Sequence, residues 1–178
     1  MKLVIASDIH GSALWCGKLM DEIDRESPDM VLLLGDLLYH GPRNDLPEGY
    51  APKQVAPMLN SLADQVLAVR GNCDAEVDQM VLSFPCMADY TMVTDGSQRM
   101  FCTHGHLWSP ANPASLPALS SGTTFLSGHT HVKQNELLEL ADGRTIRVVN
   151  PGSVSVPKDG SHSYAVYQDG TFELRVLS

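Results

Sequence analysis

A chain of 178 residues, 43% hydrophobic and 19% charged, has the make-up of an ordinary globular protein and the length for one domain, 1–178, with a substantial core. Its formal net charge of −9 argues against affinity built on phosphate-backbone contacts, which need stripes of Lys and Arg, so nucleic acid is not an expected partner. No apolar run approaches the roughly 20 residues of a membrane-spanning helix, and Cys16, Cys73, Cys86 and Cys102, without any C-x-x-C spacing, are expected as free thiols in a reducing cytoplasm.

Residues 2–6 (K-L-V-I-A) suit a buried first strand better than a signal peptide. Ser12 is placed to cap a helix carrying Trp15, Leu19 and Ile23 on one face with Met20 beside them, and Pro28 ends it. A second buried strand at 30–34 (M-V-L-L-L) delivers Gly35-Asp36. The Pro- and Gly-rich stretch 39–51 is long for a loop and reads as a lid or binding loop. Helical spacing returns over 54–63, where Pro57 is tolerable only near the first turn. A third strand at 66–69 delivers Gly71-Asn72-Cys73-Asp74, with Asp74 a good cap for a short helix bearing Val77, Met80 and Val81.

The second half reads as strands. Segments 90–93 and 99–103 flank a hairpin signal, 124–127 is a further strand, 136–140 and 145–149 flank A-D-G-R, and 163–167 and 172–176 flank Q-D-G-T. Helices dominate the first half and strand pairs the second. The expected class is α/β, with two packed mixed sheets and outer helices in an αββα sandwich. Apolar second-half strands leave an edge or face open to homo-oligomer formation.

Five strands of this scheme are followed by chemistry-bearing residues: D-I-H at 8–10, G-D at 35–36, G-N-C-D at 71–74, T-H-G-H at 103–106 and G-H-T-H at 128–131. Singly, most have plainer readings. Asp8 and Asp36 could cap helices, and G-N-C-D could be a turn. The two H-x-H units are harder to dismiss, because five of the seven histidines fall in these segments. Strand ends converge in an α/β fold, so carboxylate, imidazole and amide groups at each of them point to a cation site. Imidazole suits Zn, Mn, Fe, Co or Ni, while carboxylate and amide oxygens pull towards Mn or Mg.

In that order, D-x-H, G-D, G-N-x-D, H-G-H and G-H-T-H resemble the calcineurin-like metallophosphoesterase superfamily, over residues 8–131. The small size and G-N-C-D are similar to its compact bacterial and archaeal phosphodiesterases of the YfcE type. The resemblance implies a two-sheet αββα fold shared with a retromer scaffold subunit. It also implies one metal, Mn by preference, on Asp8, His10, Asp36 and His131. A second would sit on Asn72, His104 and His129, with Asp36 bridging. A hydroxide bridging cations about 3.5–4 Å apart would then attack phosphorus of a small phosphodiester. His106, Arg43 and Asn44 are candidate substrate contacts, and Cys73 and Asp74 candidate catalytic residues. Cys73 is the departure, since many members have a histidine there that can protonate the leaving group. A thiol, with an ordinary pKa of about 8.5 and no second nitrogen for Asp74 to orient, is a weaker acid. The rival readings are a non-catalytic scaffold, a phosphomonoesterase and a nuclease.

Overall fold

The computed structural model describes residues 1–178. Its elements are β1 (Lys2–Ala6), α1 (Ala13–Glu26), β2 (Met30–Leu33), α2 (Pro52–Asn60), β3 (Val66–Ala68), α3 (Glu76–Gln79), β4 (Tyr90–Asp95), β5 (Gln98–Thr103), β6 (Thr124–Leu126), β7 (Lys133–Glu139), β8 (Thr145–Pro151), β9 (Ser163–Gln168) and β10 (Thr171–Val176), plus a 3-10 turn at Pro113–Ser115. The strands form two mixed five-stranded sheets, in the orders β10-β9-β1-β2-β3 and β4-β5-β6-β8-β7. Within them β1, β2 and β3 run parallel, as do β5, β6 and β8, while β9 runs antiparallel to β1 and β10, β4 to β5 and β7 to β8.

The N-terminal strand reads as an unbroken apolar run because both its faces are covered. Leu3 and Ile5 meet Met100, Cys102, Leu126 and Val149 of the second sheet. Val4 and Ala6 join Cys16, Leu19 and Ile23 of α1 and Val55 and Leu59 of α2 in the helix-side core. Ser12 caps α1, its Oγ accepting from the Trp15 N–H at 3.2 Å, and Ser27 ends it in a left-handed turn at φ 46°. The outer face of the second sheet carries no α-helix. Phe101, Phe125, Ile146 and Val148 are covered there by irregular chain that contributes Trp108, Leu116 and Leu119. No helix is long and apolar enough to cross a membrane.

Three local expectations need correcting. α2 begins at Pro52, so Pro57 falls inside the helix and not in its first turn; Pro57 itself is exposed. Asp74 does not cap α3, because its carboxylate accepts backbone N–H groups of other loops, and the Asp78 carboxylate takes the Ala75 N–H instead at 2.8 Å. Val77, Met80 and Val81 are 61%, 83% and 50% exposed, so α3 has no buried apolar face.

α1 is tied to the first sheet by charge as well as packing. Glu26 pairs with Lys2 of β1 at 2.7 Å and with Arg175 of β10. Hydrogen bonding from Lys2, opposed by burial and reinforced by Arg175, holds the Glu26 carboxyl below the usual range. A depressed folded-state pKa stabilises the protein above the unfolded value of about 4.3 and ceases to do so as acid protonates the folded carboxylate. Glu26→Gln should therefore cost about 1 kcal/mol at pH 7 in denaturant unfolding. That gap should close as the pH falls below about 4. A gap that persists unchanged at low pH would show that packing, and not charge, sets the loss.

Candidate metal centre

Parallel strands bring their C-terminal ends to one edge, and the loops leaving β1, β2, β3, β5 and β6 all meet there. Backbone hydrogen bonds lace the first two loops together: Asp8 N–H to Gly35 O at 3.1 Å, His10 N–H to Asp36 O at 2.9 Å and Gly11 N–H to Leu37 O at 3.0 Å. The second sheet is joined to them through Asp8, whose Oδ2 accepts the His129 N–H at 3.0 Å. Asp74 binds the third loop to the second, accepting from the N–H groups of Gly71 (2.7 Å), Asp36 (2.8 Å) and Leu37 (2.8 Å).

Asp8, His10, Asp36, His104 and His131 are all buried at this edge. The three histidines are oriented alike. Nδ1–H of His10 donates to Tyr39 O at 2.9 Å, that of His104 to Leu34 O at 2.7 Å and that of His131 to Val156 O at 2.8 Å. A carbonyl can only accept, so Nδ1 carries the proton and Nε2 of each neutral ring turns a lone pair inward. Those lone pairs meet further acceptors. His131 Nε2 is 3.0 Å from Asp8 Oδ1 and 3.3 Å from His10 Nε2, while His104 Nε2 is 3.3 Å from Asp36 Oδ2 and 3.1 Å from Asn72 Oδ1. His10 Nε2 lies between the carboxylates, 3.5 Å from Asp8 and 3.7 Å from Asp36. Asp8 Oδ1 is buried with no hydrogen-bond donor.

Acceptors facing acceptors in a buried site require a positive species between them. Protons can meet that need in part. Burial lowers the His104 pKa, but Asp36 and Asp8 more than reverse this and bring it to about 9. Burial likewise raises Asp8, and His10, His131 and His104 overcome it and hold the carboxyl well below the usual range. Oxygen and imidazole donors at these spacings fit a divalent cation better, and the donor atoms fall into overlapping groups, Asp8–His10–His131 and Asp8–Asp36–His104. The residues present therefore fit a metal. His129 is half-buried beside them, its ring 5.1 Å from that of His104, and burial with the charge of His104 lowers its pKa to about 4.

The backbone is strained where it presents these groups. Seven non-glycine residues have positive φ, and five of them are Asp8 (60°), His10 (46°), Asp36 (55°), His129 (66°) and His131 (61°). Each such conformation costs of the order of 1 kcal/mol or more and persists only where the surroundings enforce it. Glycines allow the close approach. A Cβ on Gly71 would run into the Asp36 carboxylate, and one on Gly35, itself at φ 94°, into the backbone of Gly71.

The remaining candidates divide. Cys73 lies at the cleft, its Sγ within 4.8 Å of donor atoms of His10 and Asp36, while its N–H donates to Asp36 Oδ1 at 2.7 Å. Burial and the Asp36 carboxylate push its thiol up to about 12. Asp74 is buried and accepts three backbone N–H groups, which positions the Asp36 loop. His106 is near, 5.4 Å ring to ring from His104, with a buried Nδ1 that has no partner. Arg43 and Asn44 line the cleft mouth with Asp36, Asn72, Cys73, His129 and His131, and Asn44 donates to His40 O at 2.8 Å.

Supporting residues escaped the sequence reading. Lys158 lines the same mouth, and its N–H donates to His131 O at 3.0 Å. Ser153 and Ser155 donate through Oγ to Asp8 O at 2.9 and 3.2 Å, and Asn150 to Gly128 O at 2.7 Å. The one signal for them is N-P-G-S-V-S-V at 150–156, a further turn-rich segment directly after a strand.

A sequence profile of the calcineurin-like phosphoesterase superfamily domain matches residues 1–169. The chain is 49% identical, over 180 aligned positions, to a protein of Escherichia coli K12 named phosphodiesterase YfcE, covering all of this chain and 93% of that one. A solved structure described as YfcE, a phosphoesterase from E. coli, matches with a TM-score of 0.88 and 42% identity, both chains covered in full. Another, described as a novel archaeal phosphodiesterase, has a TM-score of 0.68 at 21% identity, covering 99% of this chain and 100% of its own, a likeness of fold alone.

If the cleft holds a divalent cation, excess Mn²⁺ should raise the melting temperature, with about 4 kcal/mol of stabilisation at 1,000 times Kd. Asp36→Asn should remove most of that shift. Gly71→Ala should do the same with every donor still present, by pressing a methyl group against Asp36. No shift with any of Mn²⁺, Zn²⁺, Fe²⁺, Co²⁺, Ni²⁺ or Mg²⁺ would rule the centre out.

Proposed function

The chain belongs to the calcineurin-like phosphoesterase superfamily, and from that premise we propose that it is a divalent-metal-dependent phosphodiesterase of small molecules. The observation that carries this reading is the ring of inward-facing acceptors around Asp8 and Asp36. Asp8, His10 and His131 would hold one cation and Asn72, His104 and His129 another, with Asp36 common to both. Two such ions, Mn²⁺ in preference to Zn, Fe, Ni, Co or Mg, would supply Lewis-acid stabilisation of charge on the phosphoryl group and would make a water acidic enough to act as nucleophile at neutral pH.

The chain's own groups do the rest. Backbone carbonyls of Tyr39, Leu34 and Val156 lock the imidazoles, so the site is set before substrate arrives and little reorganisation is needed in the transition state. Arg43 and Lys158 at the mouth attract and orient an anionic diester on a chain of net charge −9, and Asn44 borders it, while His106 lies outside the mouth beside His104. Cys73 is the proton donor nearest to hand, and a weak one. Leaving groups that depart without protonation, such as aryloxides, are therefore the favoured substrates. The whole of 1–178 serves as one catalytic domain, and the four free cysteines suit the cytoplasm.

The decisive experiment is hydrolysis of bis(4-nitrophenyl) phosphate by protein stripped with chelator and reloaded with single metals. Turnover should vanish on stripping and return with Mn²⁺. A scaffold would turn over nothing under any cation. Cys73→His should improve reaction of diesters with poor leaving groups relative to aryl diesters by about a hundredfold, the lower end of what general acid catalysis contributes. An unmoved ranking would reduce Cys73 to packing.

A further inference from the structure

A second cavity adjoins the cleft and has a different chemistry. It measures about 570 Å³, lies between α2, α3 and the loop after β2, and is walled by Leu38, Tyr39, Tyr50, Ala56, Val77 and Val81. Its polar groups are few. Lys53 is at the surface, Asp78 is already engaged with the Ala75 N–H, and two tyrosine hydroxyls remain. Cys73 lines this cavity and the metal cleft alike. Tyr39 joins them again, since its side chain lines the cavity while its carbonyl accepts from His10.

We propose that this cavity receives a bulky apolar ester group of the phosphodiester, so that Val77, Val81 and Tyr39 set substrate preference. The inference rests on the phosphodiesterase reading and narrows it to diesters carrying an aryl or large alkyl arm. A diester with phosphorus at the cleft projects two ester arms, and an arm passing Cys73 enters the cavity at once. The volume lies within the range of small-molecule sites, and a lining that is mostly apolar with few polar groups is what such sites show. Tyr39, Val77 and Val81 are 42%, 61% and 50% exposed, so apolar surface stands ready to be covered. Val77 and Val81 have no role in the core, which accounts for the failure of α3 to present a buried face. A concave space of this size suits a substituent better than a second protein, whose stable interface would need upward of about 1,000 Å².

The test compares binding of diphenyl phosphate and dimethyl phosphate to Mn²⁺-loaded protein by calorimetry. Both ligands have two identical arms, so it does not matter which arm enters. Covering about 100 Å² of apolar surface corresponds to a roughly 70-fold preference for the diphenyl ester. Val77→Asp should cut that preference at least tenfold, and Val81→Trp, which fills the space, should do likewise. Both positions are exposed, and circular dichroism checks that the variants fold. A parent preference below threefold, or a preference within twofold of the parent's in both variants, overturns the proposal. So does an altered oligomeric state in ultracentrifugation without a change in preference, which would mark the face as a contact between copies. Turnover of bis(4-nitrophenyl) phosphate, followed in parallel, tests the phosphodiesterase reading separately, because the binding ratio does not depend on hydrolysis.

Discussion

Two carboxylates buried next to one another, Asp8 and Asp36, govern the organisation of this protein. Removing a carboxylate from water is costly unless a positive charge or several hydrogen-bond donors replace the lost hydration. Around this pair the available groups are mostly lone pairs. Three imidazoles give their Nδ1 protons to the backbone and turn Nε2 inward, and Asn72 adds a carbonyl oxygen. Such an arrangement is unstable by itself and well suited to a cation. The fold accepts a local electrostatic debt in exchange for affinity.

The surrounding architecture holds that arrangement in place. Parallel strands in both sheets direct their C-terminal ends to one edge, and the core between the sheets sets the distance across which Asp8 meets His104, His129 and His131. Five of the presenting residues have left-handed backbone, kept there by hydrogen bonds from loop to loop. Glycines sit where a side chain would strike a carboxylate or a neighbouring strand end. Asp74 shows how much support one position can give, since three backbone N–H groups from two loops converge on it.

The contrast between the two cavities joins fold to specificity. A polar cleft with Arg43 and Lys158 at its mouth suits a phosphate, and an apolar space suits what the phosphate is attached to. Cys73 stands on the wall between them. Burial and the Asp36 carboxylate keep its thiol protonated, and it adds little polarity to the apolar side.

Much of this was legible in the sequence. Apolar runs of the right length marked β1 and β2, D-G pairs marked the hairpins, and ligand-type residues after strands marked the edge, because burial and turn formation are local demands that residue type reveals. Other features depend on contacts between distant segments. Pro57 is carried inside α2, and α3 has no core face. Asp74 is drawn to backbone N–H groups 37 and 38 residues away, and Ser153, Ser155 and Lys158 hydrogen-bond to the backbone of Asp8 and His131 from the far end of the chain. Residue type thus determined which groups could bind a cation and which runs would be buried. Only the tertiary structure decided how imidazole tautomers, left-handed turns and a shared cysteine wall place them, because those depend on which carbonyl, carboxylate or strand end lies opposite in space.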